Sequence, residues 1–133
     1  MTKTVYKKAL LFPELSYSIV GCAYEVFNEL GGGHKEKIYQ NALGHSFRSK
    51  QLNCQAQVYY PLYFKDKLVG KGYWDYLIDK KIIVEIKALS FFAKTHIDQV
   101  LNYLHTSNLK LALLISFGQN EVRVKRIVNF KTE

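Results

Sequence analysis

The sequence predicts an α/β (α+β) fold in one domain, residues 1–133, with elements in the order α-α-β-β-β-α-β-β. Three observations predict it. Two helically periodic stretches fill the first 50 residues, three runs rich in valine, isoleucine and tyrosine follow between Gln55 and Ala88, and a third helical stretch separates these from two closing strands.

The first helix is expected from Pro13 to Leu30, because Leu15, Ile19, Cys22, Ala23, Val26, Phe27 and Leu30 recur at helical spacing and Pro13 suits a first turn. Gly31, Gly32 and Gly33 end it. A second helix is expected from about His34 to Lys50, its apolar stripe running through Ile38, Tyr39, Ala42, Leu43 and Phe47. The triglycine follows a helix rather than a strand and lacks a Gly-Lys-Ser/Thr ending, so it is not read as a phosphate loop.

The run from Gln55 to Ala88 is punctuated at Lys65-Asp66-Lys67 and at Asp79-Lys80-Lys81, which divides it into a three-stranded meander. Thr95 is expected to cap a third helix reaching Ser107, with Asp98 three positions later. Leu111 to Phe117 reads as a buried strand. After a Gly118-Gln119-Asn120 turn, Val122 to Phe130 reads as the last strand, carrying Arg123, Lys125 and Arg126.

Composition narrows the function classes. With 48% hydrophobic and 14% aromatic residues, a chain of 133 residues buries a core without disulfides or a structural metal. Cys22 and Cys54 have no ligand spacing around them, which argues against zinc and for reduced thiols. No apolar run is long enough for a membrane span, and the first residues lack a long apolar signal core, so a cytoplasmic location is expected. A formal charge of +8 favours a polyanionic partner, the alternative being a basic surface kept for solubility.

The chemistry concentrates in Tyr73-Trp74-Asp75-Tyr76-Leu77-Ile78 and Ile82-Ile83-Val84-Glu85-Ile86-Lys87-Ala88. Acids are depleted in such strands, and an ionised side chain in a half-buried strand needs a compensating partner. If Asp79, Lys80 and Lys81 form the loop, Ile78 pairs with Ile82, Leu77 with Ile83, and Asp75 falls opposite Glu85. Like charges at cross-strand distance repel, and a bound cation reverses the sign. Hard divalent ions accept one or two carboxylates, with water and substrate phosphate completing the set. Lys87, two residues beyond Glu85 on the same face, is placed to position a water or neutralise phosphate charge, which together describe phosphodiester hydrolysis. The competing interpretation is a solvated ladder on an edge strand. Leu77 and Ile83 on the same face count against it.

Asp75, nine intervening residues and then Glu85-Ile86-Lys87 resembles the D-xn-(D/E)-x-K signature of PD-(D/E)XK nucleases. Gly33-His34-Lys35-Glu36-Lys37-Ile38-Tyr39 resembles the motif of the small prokaryotic GxxExxY proteins of that superfamily, and Gln99 with Tyr103 is similar to the Gln-x-x-x-Tyr pair of RecB-type nucleases. The resemblance implies a restriction-endonuclease-like core, a mixed sheet flanked by helices. It implies that Asp75, Glu85 and the backbone carbonyl of Ile86 bind Mg2+ or Mn2+, and that Lys87 assists the attacking water. Glu36, in the first turn of helix two, would point toward the metal, although an acid there also suits the helix dipole. Gln99 is expected to hold Lys87, water or phosphate beside Tyr103, while His96 is read as a solvated first-turn residue outside the catalytic set.

Trp74 stands where the signature has proline and is expected in the core, and Tyr73 stands where relatives often carry arginine. The expected partner is nucleic acid, DNA first, with a homodimer possible and no membrane contact. Two alternatives are a nucleic-acid-binding module that cleaves nothing and an interaction subunit using Tyr59-Tyr60-Pro61-Leu62-Tyr63-Phe64.

Overall fold

A computed structural model describes residues 11–129. The elements are α1 (Pro13–Leu30), α2 (Glu36–Ser49), β1 (Cys54–Phe64), β2 (Lys67–Ile78), β3 (Ile82–Lys87), α3 (Lys94–Ser107), β4 (Leu111–Phe117) and β5 (Val122–Val128). This is the expected order. The strands form one five-stranded sheet in the sequence order β1-β2-β3-β4-β5. All neighbours are antiparallel except β3 and β4, which run parallel. A parallel pair needs a crossover connection, and α3 supplies it.

The two faces of the sheet bury different helices. On one face Ile19, Cys22, Ala23 and Val26 of α1 and Tyr39, Leu43 and Phe47 of α2 meet Ile82, Val84, Ile86, Leu111, Leu113 and Ile115. On the other, Val100 and Leu104 of α3 pack against Ile83, Ala112, Leu114 and Ile127. Neighbours in β3 and β4 thus alternate between layers, as a strand covered on both faces requires. Each large side chain so buried contributes roughly 1.5–3 kcal/mol. Glu85 and Lys87 therefore sit in the middle strand of the sheet, which excludes the solvated edge-strand interpretation.

Several boundaries differ from expectation. Helix two begins at Glu36 rather than His34, because Gly33 has φ 89 and Lys35 is still extended as the N-cap residue. It ends one residue before Lys50. Helix three begins at Lys94 with Ala93, not Thr95, in the cap position, and no side chain caps it. Asp98, expected to complete a box with Thr95, instead accepts from Lys94 at 2.8 Å. Strand β1 starts at Cys54, one residue before Gln55, and β3 stops one residue before Ala88. Strand β5 ends at Val128, and Phe130, the expected end, lies outside the described residues.

The turns follow local chemistry. Lys65 and Asp66 join β1 to β2 with φ 48 and 67, the left-handed pair of a two-residue hairpin turn. Asp79 and Lys80 are left-handed too, with φ 52 and 55, and the three-residue loop sets Ile78 opposite Ile82 as expected. Gly31 has φ 73 and donates its amide to Phe27 at 2.8 Å, closing α1. Cys22 is buried and Cys54 half-buried, and both are free thiols. Among the described residues, no helix is long and apolar enough to cross a membrane.

Candidate active site

The site forms where β2 and β3 stop pairing. Their ladder runs from Ile78↔Ile82 through Leu77↔Ile83 to Tyr76↔Val84. One step further, side chains replace the backbone ladder. The amide of Asp75 donates to Glu85 Oε1 at 3.1 Å, and the amide of Ile86 donates to Asp75 Oδ2 at 2.7 Å. Each acid thus satisfies a backbone donor that strand separation would otherwise orphan.

Asp75 also marks a break in the alternation of β2. Tyr76 and Ile78 pack with α1 and α2, whereas Trp74 joins Leu77 in the layer under α3. Across from this break, Gln57 lies between the pairs Ala56↔Tyr76 and Val58↔Trp74 with φ 54. The irregular backbone holds Asp75 between the layers, within reach of α2.

Both acids are buried, Asp75 at 6% and Glu85 at 8% exposure. Burial pushes the Glu85 carboxyl up to about 8, and the charge of Asp75 adds to that. Burial also raises Asp75, against the pull of the Ile86 amide and the Lys87 cation. Two carboxylates that cannot comfortably ionise side by side are a donor set that a cation relieves.

Four further side chains, of Gln40, Glu36, Tyr76 and Lys87, surround the pair. Gln40, one turn along α2, donates its amide to Asp75 Oδ1 at 2.9 Å and to Glu36 Oε2 at 3.3 Å. Glu36 is thereby tied to Asp75 through a neutral amide. Tyr76 Oη donates to the Gln40 carbonyl at 2.7 Å, and Gly44 permits it, since a Cβ there would meet that hydroxyl at 2.3 Å. Lys87, half-buried at the end of β3, lies near enough for its charge to act on both acids and on His96.

His96, expected in solvent, is largely covered instead. Its side chain is 16% exposed, and Nε2 stands 3.8 Å from Glu85 Oε2. Burial first, and then the Lys87 cation, lower its pKa from 6.5. With Glu85 protonated and His96 neutral near pH 7, that contact is not an ion pair, and 3.8 Å is too long for a hydrogen bond. His96 Nε2 is a buried polar atom with no hydrogen-bond partner. An unpartnered imidazole nitrogen 3.8 Å from a carboxyl oxygen suits a bridging water.

The helix that carries His96 brings Gln99 and Tyr103 against Tyr60 and Trp74. The Gln99 amide donates to Tyr60 Oη at 2.7 Å rather than engaging Lys87. Tyr103 is half-buried and packs its ring against Trp74 and Tyr60, at centroid separations of 5.1 and 5.5 Å. Trp74 is 1% exposed and stacks on Tyr60 at 4.4 Å, so it belongs to the core as expected. Tyr73 is about half exposed, with the Tyr59 ring 5.8 Å away.

Gln40, Tyr60 and His96 are thus parts of the site that sequence reasoning left out. Gln40 had one available signal, its four-residue step from Glu36 on α2. His96 had another, its three-residue step from Gln99. Tyr60 comes from a distant strand, and no local pattern marks it.

Among the described residues, no three His, Cys, Asp or Glu side chains converge into a complete cage. Two carboxylates are nevertheless an ordinary protein share for a magnesium-type ion, which keeps several waters. The donor set, all oxygen and mutually repelling until a cation is added, fits a hard divalent ion.

No curated protein matches the chain. Among solved structures, the crystal structure of SSO0001 is similar, at 20% identity and a TM-score of 0.56 over 70% of this chain and 49% of that one. The chain therefore spans about half the length of that protein, and at this identity the likeness concerns the fold alone. The family model of the PD-(D/E)XK nuclease superfamily matches residues 13–127, from the first helix into the last strand, and the chain belongs to that superfamily.

Proposed function

We propose that the protein is a divalent-metal-dependent nuclease that hydrolyses phosphodiester bonds in DNA, with Mg2+ or Mn2+ as its ion. The observation that carries this reading is the meeting of Asp75 and Glu85 at the separating ends of β2 and β3, with the Asp75 amide on Glu85 Oε1 at 3.1 Å. In this reading Asp75, Glu85 and the Ile86 carbonyl hold the ion, and Glu36 joins them through its tie to Gln40. When bound, the ion supplies Lewis-acid activation of water and neutralises charge on the phosphate. Lys87 donates hydrogen bonds to the attacking water or to a phosphate oxygen as charge develops there. Gln99 and Tyr103 bound the site on the α3 side, and the formal charge of +8 draws the polyanion in.

The finer assignments follow from the same residues. The Gly33, Glu36 and Tyr39 spacing supports membership of the GxxExxY proteins, as one domain over residues 1–133. Two free cysteines suit a reducing cytoplasm. Cutting both strands of a duplex calls for two sites, which favours a homodimer.

The test is cleavage of plasmid, linear and single-stranded DNA in manganese or magnesium. Activity is expected to vanish in EDTA and in Asp75→Ala, Glu85→Ala and Lys87→Ala proteins whose circular dichroism is unchanged. Folded wild-type protein that cuts no form of DNA or RNA under these conditions would overturn the proposal.

A further inference from the structure

We infer that the cavity between β1 and α3 is a base pocket, taking an unpaired nucleobase of the strand whose phosphate lies at Asp75 and Glu85. The inference rests on the nuclease reading and extends it to the form of the substrate.

The cavity has a volume of about 540 Å³, and its walls include Tyr59, Tyr60, Tyr63, Gln99, Asn102 and Tyr103. That volume lies within the usual range for small-ligand sites, and aromatic walls with a few polar groups are the usual lining. Among the described residues, Tyr63, exposed at 64%, is the wall tyrosine with no other ring packed on it, and bases of any identity stack on such a face. Gln99 uses its amide nitrogen on Tyr60, which leaves its carbonyl oxygen for a ligand, and Asn102 offers both a donor and an acceptor. Amide pairs of this kind match the hydrogen-bonding edge of a base.

Position ties the cavity to the acid pair. Tyr60 is a wall fixed to the same helix that reaches the acids: its hydroxyl accepts from Gln99 at 2.7 Å, three residues along α3 from His96, whose Nε2 stands 3.8 Å from Glu85 Oε2. Along α3, His96 faces Glu85 while Gln99 and Tyr103 line the cavity. Seven residues of helix rise span about 10 Å, the length of about three stacked nucleotides. A strand with its phosphate at the acids therefore reaches the cavity with a base about three nucleotides along.

The walls are also set in advance. Tyr60 lies over Gly72, where a Cβ would meet the ring at 2.3 Å, and it is stacked on Trp74. A base in a duplex has both faces covered and its edge paired, so only an unpaired or flipped base fits. Lys65, Lys67 and Lys71, exposed on the adjoining hairpin, suit the backbone of such a strand.

The test is fluorescence anisotropy at low salt in EDTA, with single-stranded oligonucleotides of equal length that are either thymine-bearing or abasic. Wild-type protein is expected to bind the thymine-bearing strand about tenfold more tightly. Tyr63→Ala and Asn102→Ala are expected to bring that strand to the abasic affinity while leaving the abasic affinity unchanged, and Tyr63→Phe to restore the difference. Both positions are exposed, so folding is not at stake. Equal wild-type affinities, or an equal loss for both strands in the variants, would overturn the base pocket alone and leave the nuclease reading standing. Binding to neither strand overturns the pocket as well, while the nuclease reading stands or falls by the cleavage assay in metal.

Discussion

The amide of Asp75 donates to Glu85 Oε1 at 3.1 Å, one residue beyond the last backbone pair of β2 and β3. The two acids are therefore structural as well as chemical. They close the end of a separating hairpin, and they do so at the cost of burying two carboxyl groups whose charges repel.

That cost sets the pH dependence of the metal-free protein. Glu85 titrates near 4.5 when unfolded and about 8 when folded, and Asp75 shifts in the same direction. Between those values the folded state binds more protons than the unfolded state, so stability falls as pH rises through that window. His96 works the other way below 6.5, because its folded pKa is lowered. The acid pair is thus read most cleanly from pH 6.5 to 8. Urea-unfolding midpoints in EDTA are expected to drop across this interval for wild type and to stay level for Glu85→Gln, which keeps an acceptor for the Asp75 amide. A wild-type midpoint that holds steady or rises there would show that Glu85 is already ionised in the fold.

Gln40 is the second point of leverage, since a single neutral amide reaches both Asp75 and Glu36. Removing it loses hydrogen bonds worth about 1 kcal/mol net each and frees Asp75 Oδ1 to rotate. Residues that orient metal ligands typically cost 10–100-fold in metal affinity or activity when removed. Gln40→Ala is expected to raise the manganese concentration for half-maximal cleavage about tenfold, with a smaller change in the rate at saturating metal. An unchanged metal requirement would mean that Asp75 is held by the Ile86 amide alone.

Much of this arrangement was legible in the chain. The loop Asp79-Lys80-Lys81 fixed the hairpin register, and register brought Asp75 to Glu85. Periodicity placed both helices ahead of the sheet and the crossover helix within it. What the chain did not display were contacts between elements far apart in sequence. Gln40 and Asp75 are 35 residues apart, and Gln99 and Tyr60 are 39 apart. The break at Asp75 was hidden for a related reason: Trp74 and Tyr76 are both large and apolar, so nothing in their spacing reveals that they pack in different layers. Thr95 misled because its side chain suits a cap, whereas the backbone turns into the helix at Ala93.

The stack of Tyr60 on Trp74 gives a third prediction. The chain has one tryptophan, so its emission reports on this cluster alone. Gly72→Ala sets a Cβ 2.3 Å from the Tyr60 ring and must push that ring off Trp74 and away from Gln99. Overpacking of this kind costs about 1–3 kcal/mol. Shifted tryptophan emission together with a lower unfolding midpoint is expected, and a variant with native emission and stability would mean that the ring has room to yield.

The glycines of the first helical hairpin separate two explanations for the triplet at 31–33. If it binds phosphate, substitution should spare stability and weaken binding to nucleic acid. Packing supplies a different reason for glycine at position 32, because a Cβ on Gly32 would lie 2.0 Å from the Gln119 carbonyl oxygen, in the turn between β4 and β5. That neighbour is backbone and cannot swing aside, so Gly32→Ala must separate the two turns. Gly31 has open space but φ 73 and ψ −172, a backbone region essentially reserved for glycine, so Gly31→Ala carries backbone strain of about 1–3 kcal/mol. Gly21, exposed within α1 with nothing within 4 Å, should gain roughly 0.5–1 kcal/mol as alanine. Thermal unfolding is therefore expected to rank Gly21→Ala above wild type, then Gly31→Ala, then Gly32→Ala lowest. Should Gly32→Ala melt with wild type and lose affinity for DNA instead, the close packing of the two turns is not what requires glycine at that position.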